Sequence, residues 1–348
     1  MLRLAFVGVD HPHGAHWRQT LGNFTDRIAI TALMPGYNGT TASLEERFAR
    51  VPRFATVEEL IAHGDFEAAL VALPNNEGPA VLAKLAEAGK HVLVEKPGAA
   101  TAADMQPTVD AVRRRKVAFQ NGYMWRYDAG AERLRDMFRD GRFGKVINVE
   151  MTFVTSDARR RGPDHYLFDP DVSGAGFFNW LGCHQLDLLP FVTGRRIAAV
   201  TARVGTYGET PVRVEDGGAA ILELEGGGIA TLVGGYWLPR WAGESRWVLR
   251  GSERWVEWLP TKPGTGGEFA IHGPQPQWHA MEETFTMTPD TTPGYGGARG
   301  VNLVGDWLDA IATGNACRNT PESTTAALAV LDAIYESSRT GRRVEVAN

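Results

Sequence analysis

Over its first 120 residues the chain alternates short apolar runs with helix-patterned segments, and this alternation restricts the fold more than any other feature. Leu4–Val9, Ile28–Met34, Ala68–Leu73, His91–Glu95 and Val117–Gln120 read as strands. Between them, Ala15–Asn23, Ser43–Arg50, Glu58–His63, Pro79–Ala88 and Thr101–Arg115 read as helices. Pro79 stands in the first turn of its helix and Gly89 just past the end, the places where each residue is tolerated best. Thr101 and Asp104 have the spacing of a capping box. Strands alternating with helices build βαβ units, and these assemble into a doubly wound, mostly parallel sheet.

After Gly122 the pattern changes. A helix over Ala129–Arg139 leads to a strand over Lys145–Thr155, a polar loop over Ser156–Ser173 and an apolar helix over Phe177–Val192. Ala198–Gly205, Ala219–Glu225, Ile229–Tyr236, Ser245–Arg250 and Arg254–Trp258 then read as strands in succession, which predicts a large open antiparallel or mixed sheet. Residues 260–298 are rich in Gly, Pro and Thr and read as loops. Helices over Val301–Thr313 and Pro321–Thr340 close the chain. The strand-rich half carries Trp237, Trp241, Trp247, Trp255 and Trp258. Three fates compete for these rings: sheet core against helices, a sheet-to-sheet contact between subunits, and stacking on a sugar.

Charge and cysteine usage exclude several classes. The formal net charge is −5, and the densest basic run is Arg159-Arg160-Arg161. It reads as a solvated loop or, less simply, as a contact to an anionic substrate. No basic footprint for nucleic acid emerges. Cys183 and Cys317 show neither a disulfide framework nor metal-ligand spacing. No apolar stretch reaches bilayer length. The expectation is a cytoplasmic protein that binds neither nucleic acid nor membrane and holds no metal.

The first strand runs into Gly8-Val9-Asp10-His11-Pro12-His13-Gly14. A Rossmann fingerprint, G-x-G-x-x-G, belongs at such a place. Gly8 matches it, while Asp10 and His13 occupy the second and third glycine positions. A carboxylate beside a pyrophosphate is repulsive unless it turns away. A helix N-terminus would still present N–H groups to the anion, and His11 and His13 are candidate phosphate donors. Alternatively Asp10 caps the helix and the histidines fill the turn; a metal site at His11, His13 and His16 is a further, weaker reading. The second strand ends at Met34-Pro35-Gly36, without the Asp or Glu that would bind a ribose 2′-OH and without an Arg for a 2′-phosphate. The choice between NAD and NADP stays open.

Two longer motifs carry a resemblance. The first is Val71-Ala72-Leu73-Pro74-Asn75 followed by Gly89-Lys90-His91-Val92-Leu93-Val94-Glu95-Lys96-Pro97. The second is Gly174-Ala175-Gly176-Phe177-Phe178-Asn179-Trp180-Leu181-Gly182-Cys183-His184-Gln185-Leu186-Asp187. Both are similar to segments of the Gfo/Idh/MocA family of NAD(P)-dependent oxidoreductases. His16 and the stretch Tyr123-Met124-Trp125-Arg126-Tyr127 agree with it. The sequence departs from the family pattern at Asp10, Met34, Gly78 and Trp180, the last standing where an Asp is usual.

The resemblance implies a dinucleotide-binding Rossmann domain over 1–122 and a substrate-binding and oligomerisation domain over 123–348. It implies NAD or NADP held by Gly8, Asp10, His11, His13, Met34, Pro74, Asn75, Glu95 and Lys96. Lys96 is implied beside the nicotinamide and the substrate hydroxyl, and His184 as the acid/base. Regular helical spacing sets Trp180, His184 and Asp187 on one face, so Asp187 can orient His184. Arg126, Trp180 and His184 are expected at the substrate, a sugar, polyol or related small molecule. A homodimer or homotetramer through the second-domain sheet is expected. Two other functions remain compatible: redox-assisted elimination of the kind NAD-dependent glycosidases perform, and a non-catalytic sensor with the same fold.

Overall fold

A computed structural model describes residues 1–37, 48–239, 243–260, 267–273 and 281–347. The chain divides into two compact units. One comprises residues 1–127 and 291–325, the other 128–290 and 326–348. A single cut after Gly122 therefore differs from the observed division, because a late segment returns to the first unit.

The first unit is built on a parallel sheet of five strands in the order β2-β1-β3-β4-β5. These are β1 (Leu2–Val7), β2 (Ile28–Met34), β3 (Ala68–Val71), β4 (His91–Val94) and β5 (Phe119–Asn121). The helices are α1 (Gly14–Leu21), α2 (Val57–His63), α3 (Gly78–Glu87) and α4 (Ala102–Arg115). Every residue of β3 is fully buried, as a central strand covered on both faces must be. Thr101 caps α4 by accepting the Asp104 N–H at 3.2 Å, while its own hydroxyl donates to the Asp104 carboxylate at 2.7 Å. The expected helix over Ser43–Arg50 lies mostly outside the described residues. The returning segment brings a helix, Ala298–Thr313, whose Leu303, Val304 and Trp307 are fully buried in one core with Leu4, Phe6 and Trp17.

The second unit carries a nine-stranded sheet in the order β13-β12-β11-β10-β6-β9-β8-β7-β14. Its strands are β6 (Val146–Thr155), β7 (Ile197–Gly205), β8 (Gly217–Leu224), β9 (Ile229–Gly235), β10 (Gly243–Gly251), β11 (Trp255–Leu259), β12 (Glu268–His272), β13 (Met281–Thr286) and β14 (Val344–Glu345). All neighbours pair antiparallel except β6 and β9. β12 and β13 correct the expectation of loops over 260–298. Phe269 and Ile271 alternate as buried residues within a short run whose surroundings are rich in turn formers. The polar stretch 156–173 also holds two short helices, Asp157–Arg161 and Pro170–Ser173.

The tryptophans divide by face. Trp247 and Trp258 are cross-strand partners, buried, with ring centroids 5.8 Å apart. The Trp247 indole donates to Gln185 Oε1 at 2.7 Å, so this face is core against a helix. Trp255 is partly exposed and stacks on His272 at 3.6 Å. Ile147, Ile221, Ile229 and Val233 are exposed with it. Trp241 lies outside the described residues.

Candidate functional site

In the first unit, β1 has β2 on one side and β3 on the other, so the carboxyl ends of β1 and β3 form the switch point where open α/β sheets bind ligands. Gly8 ends β1 with φ +73°, and a Cβ there would collide with the Ala72 backbone, so only glycine fits. Its N–H donates to the Met34 carbonyl at 2.6 Å, which ties the loop to the end of β2. Met34 contributes through its backbone.

The Asp10 side chain does turn away. One carboxylate oxygen accepts the Gly36 N–H at 2.7 Å and the other the Tyr37 N–H at 2.9 Å. Asp10 therefore fastens the turn after β2 and does not cap α1, whose N-cap is His13. Among the described residues no side chain caps that helix. His11 is buried; its Nδ1 accepts the His13 N–H at 2.9 Å and its ring lies edge-on to Tyr37 at 5.0 Å. The histidines fill the turn. Pro74 accepts the Glu77 and Gly78 N–H groups at 3.1 and 2.8 Å, and Asn75 is buried between them in sequence.

Glu95, at the end of β4, is a buried hub. It accepts the Trp17 indole N–H at 2.9 Å and the Tyr295 hydroxyl at 3.3 Å, with His13 Nδ1 at 4.0 Å. Burial pushes its carboxyl up, while the adjacent Lys96 charge and the Trp17 and Tyr295 hydrogen bonds pull it down. Lys96 itself is only 4% exposed, and its peptide bond to Pro97 is cis. Asn121 donates to the Pro97 carbonyl at 3.1 Å. Arg126, expected at the substrate, is buried and donates to the Arg318 carbonyl at 3.2 Å, while Arg318 donates to the Arg126 carbonyl at 2.5 Å. That pair joins the stretch after β5 to the returning segment. Trp17 and Tyr295 are the functional neighbours that sequence reasoning missed; Tyr295 is 200 positions from Glu95, and no local pattern links them.

In the second unit, the helix that carries the second motif is not regular. Phe178–Gly182 forms a π-turn, and the α-helix α5 starts only at Cys183 and runs to Thr193. A π-turn bonds i to i+5 and widens the coil, so the step from Trp180 to His184 crosses a widened turn rather than a regular α-helix. His184 and Asp187 are buried on α5. Trp180 is 5% exposed, with its ring edge-on to Tyr166 at 6.1 Å. Such π-turns are frequent at functional positions.

What holds this turn is Glu215, a residue no motif singled out. Its carboxylate accepts the Gly176 N–H at 2.6 Å, the Phe178 N–H at 3.1 Å and the Tyr335 hydroxyl at 2.8 Å. A Cβ on Gly176 would strike the Glu215 carbonyl, which explains the glycine in the motif. Burial pushes the Glu215 carboxyl up to about 7, against the pull of Tyr335 and the two backbone donors. The only signal available in sequence was an acidic pair, Glu215-Asp216, directly before β8.

The basic run is paired locally. Arg160 donates to Asp157 at 2.8 Å, Arg161 lies 3.6 Å from the same carboxylate and Arg159 3.4 Å from Glu209. A cavity of about 670 Å³ lies at Arg159, Arg203, Tyr207, Glu209, Val233 and Trp237. The Trp237 indole there donates to Asp216 at 3.0 Å.

With this geometry in hand, comparison with known proteins gives consistent results. Residues 2–123 match the oxidoreductase family NAD-binding Rossmann fold of Gfo/Idh/MocA, and residues 131–257 match the Gfo/Idh/MocA C-terminal domain. Inositol 2-dehydrogenase 1 of Saccharopolyspora erythraea is 26% identical over 99% of this chain and 96% of its own. D-xylose 1-dehydrogenase (NADP(+)) 2 of Haloferax volcanii is 25% identical over 84% of each chain. The chain spans about half the length of several other curated relatives, 43% and 57% of two of them. A solved structure of levoglucosan dehydrogenase with NADH and L-sorbose superposes with a TM-score of 0.87 over 100% of this chain and 99% of the other, at 18% identity.

Proposed function

The chain belongs to the Gfo/Idh/MocA family of oxidoreductases with an NAD-binding Rossmann fold, and from that premise we propose that it moves a hydride between NAD(P) and a hydroxyl/carbonyl pair of a sugar or polyol. The observation that carries this reading is the end of β4, where a buried Glu95–Lys96 pair stands beside the switch point of a parallel sheet. The neighbouring residues fit a dinucleotide. Gly8 closes tightly onto Ala72, the α1 N-terminus has no side-chain cap among the described residues and can receive a diphosphate, and the Asp10 carboxylate is drawn off onto the β2 turn.

When bound, the nicotinamide supplies the hydride acceptor or donor. Lys96 would polarise the substrate oxygen and lower the alcohol pKa. Glu95, held by Trp17 and Tyr295, stands next to Lys96 in the chain, whose charge pulls its carboxyl down against burial. His184 would carry the proton, a task an imidazole can perform as acid or base. Trp180 fills space next to Tyr166 and would select a flatter or smaller substrate than a free hexose. The inositol and xylose dehydrogenases among the relatives support a polyol or sugar.

The test is a panel of sugars and polyols incubated with NAD and NADP, read as accumulation of reduced nicotinamide. At least one substrate should give sustained accumulation, and Lys96→Ala should lower its kcat by at least about a hundredfold. A product released without net cofactor change would replace this reading with redox-assisted elimination.

We also propose a homodimer or homotetramer through the sheet face that exposes Ile147, Ile221, Ile229, Val233 and Trp255, since an open apolar face of this kind usually meets a partner. A monomer by light scattering would refute it. Among the described residues no helix is long and apolar enough to cross a membrane, and a cytoplasmic location is part of the same proposal.

A further inference from the structure

The β2 end is where a Rossmann sheet reads the adenosine ribose. An acidic side chain there accepts from the 2′-OH of NAD, and an Arg there accommodates the 2′-phosphate of NADP. Met34, Pro35, Gly36 and Tyr37 supply neither. The corner nevertheless holds a carboxylate, delivered from the other strand. Asp10, in the loop after β1, projects onto the turn after β2 and accepts the Gly36 N–H at 2.7 Å and the Tyr37 N–H at 2.9 Å. The Gly8 N–H donates to the Met34 carbonyl at 2.6 Å, so the two loops are tied at the same point.

We propose that Asp10 is the cofactor-selecting residue of this enzyme: it stands in for the missing acid at the end of β2 and makes the site prefer NAD(H) to NADP(H). The inference rests on the NAD(P) reading above and deepens it.

Three physical points carry it. First, successive backbone N–H groups in a turn are what a phosphate would seek, and at Gly36 and Tyr37 they already serve an anion. Second, a carboxylate oxygen accepts more than one hydrogen bond, so a ribose hydroxyl can add its donor to those Asp10 already has. Third, a 2′-phosphate would bring a second anion within a few ångströms of the first, and nearby like charges repel strongly in a partly desolvated site. Two backbone bonds fix the carboxylate in place, so it cannot swing aside without leaving both donors unpaired. The same arrangement explains how an acid is tolerated where the second fingerprint glycine normally stands. The two N–H donors hold the charge at the β2 turn, where the ribose is read, rather than toward the diphosphate.

The experiment is equilibrium binding of NADH and of NADPH to the full chain, read by quenching of tryptophan fluorescence, for wild type and for Asp10→Asn. Wild type should bind NADH at least about tenfold more tightly than NADPH. Asp10→Asn keeps a side-chain oxygen but removes the charge, and it should narrow the gap several-fold, chiefly by improving NADPH. Wild type binding NADPH as tightly as NADH would overturn the proposal without any variant. An unchanged ratio in a folded Asp10→Asn protein would overturn it equally. Asp10→Ser, which also lacks the charge, serves the same purpose if the Asn variant does not fold. Wild type binding neither nucleotide would instead bring down the cofactor reading on which the proposal stands.

Discussion

Each unit sets one glutamate next to the residues expected to do chemistry, Glu95 buried and Glu215 half-buried, and the two are treated differently. Glu95 has a cation beside it in Lys96, and side-chain donors in Trp17 and Tyr295. Glu215 accepts two backbone N–H groups and one phenol, and these donors are what pull its carboxyl down against burial. Both are pushed up by burial; Glu95 is drawn back chiefly by the neighbouring Lys96 charge, and Glu215 by hydrogen-bond donors. The difference teaches what each is for. Glu95 sits beside the Lys96 charge, which draws its carboxyl back down. Glu215 is a clamp on backbone, fixing the π-turn ahead of His184, and its carboxyl changes charge near neutrality.

The comparison can be sharpened first through the pH dependence of stability. The folded Glu215 value of about 7 lies above the ordinary 4.5. Between those values the folded chain keeps a proton that the unfolded chain releases. Glu215 therefore contributes stability fully below about pH 4.5, and that contribution is lost as the pH rises through about 7. In Glu215→Gln this component is absent. The amide must turn an N–H toward one of the backbone donors, so the variant carries a constant penalty. The slope, not the offset, is the informative quantity. Denaturant unfolding of both proteins across this range should show wild type losing on the order of 3 kcal/mol relative to the variant. Parallel curves would break the contrast and make Glu215 an ordinary buried acid.

A smaller effect tests the other glutamate. Trp17→Phe keeps most of the ring volume but removes the indole N–H from Glu95. Leaving a buried carboxylate short of one donor should cost about 1–2 kcal/mol of stability. Tyr295 still donates to the carboxyl in this variant, so the loss measures the indole donor alone. A thermal melt that is unchanged in Trp17→Phe would mean that Tyr295 and Lys96 suffice, and that the indole only fills space.

How much of this was legible in sequence differs between the units. The parallel sheet was legible because βα alternation, a helix-ending Gly89 and a capping Thr101 are local signals, and each describes its own segment. The end of β4 was legible for the same reason. β12 and β13 were not, because their alternation spans only a few residues inside a Gly-, Pro- and Thr-rich stretch. The turn at Phe178–Gly182 was not legible either, since nothing in the residues distinguishes a π-turn from a continuous apolar helix. Glu215 and Tyr295 act on residues 39 and 200 positions away, distances over which periodicity carries no information. Asp10 is an intermediate case. Its position in the glycine loop flagged it, but the direction of its carboxylate depended on where the second strand ended.

Hydride transfer itself is the central claim, and isotope labelling reaches it most directly. A substrate from the reactive set, deuterated at the carbon that is oxidised, would be turned over with unlabelled NAD and the recovered nicotinamide analysed by mass spectrometry. The accumulating reduced nicotinamide should carry the deuterium, the rate should fall by a kinetic isotope effect when transfer is limiting, and Lys96→Ala should suppress the labelled product. Reduced cofactor that accumulates without deuterium, or turnover that leaves all the label in the organic product, would contradict hydride transfer.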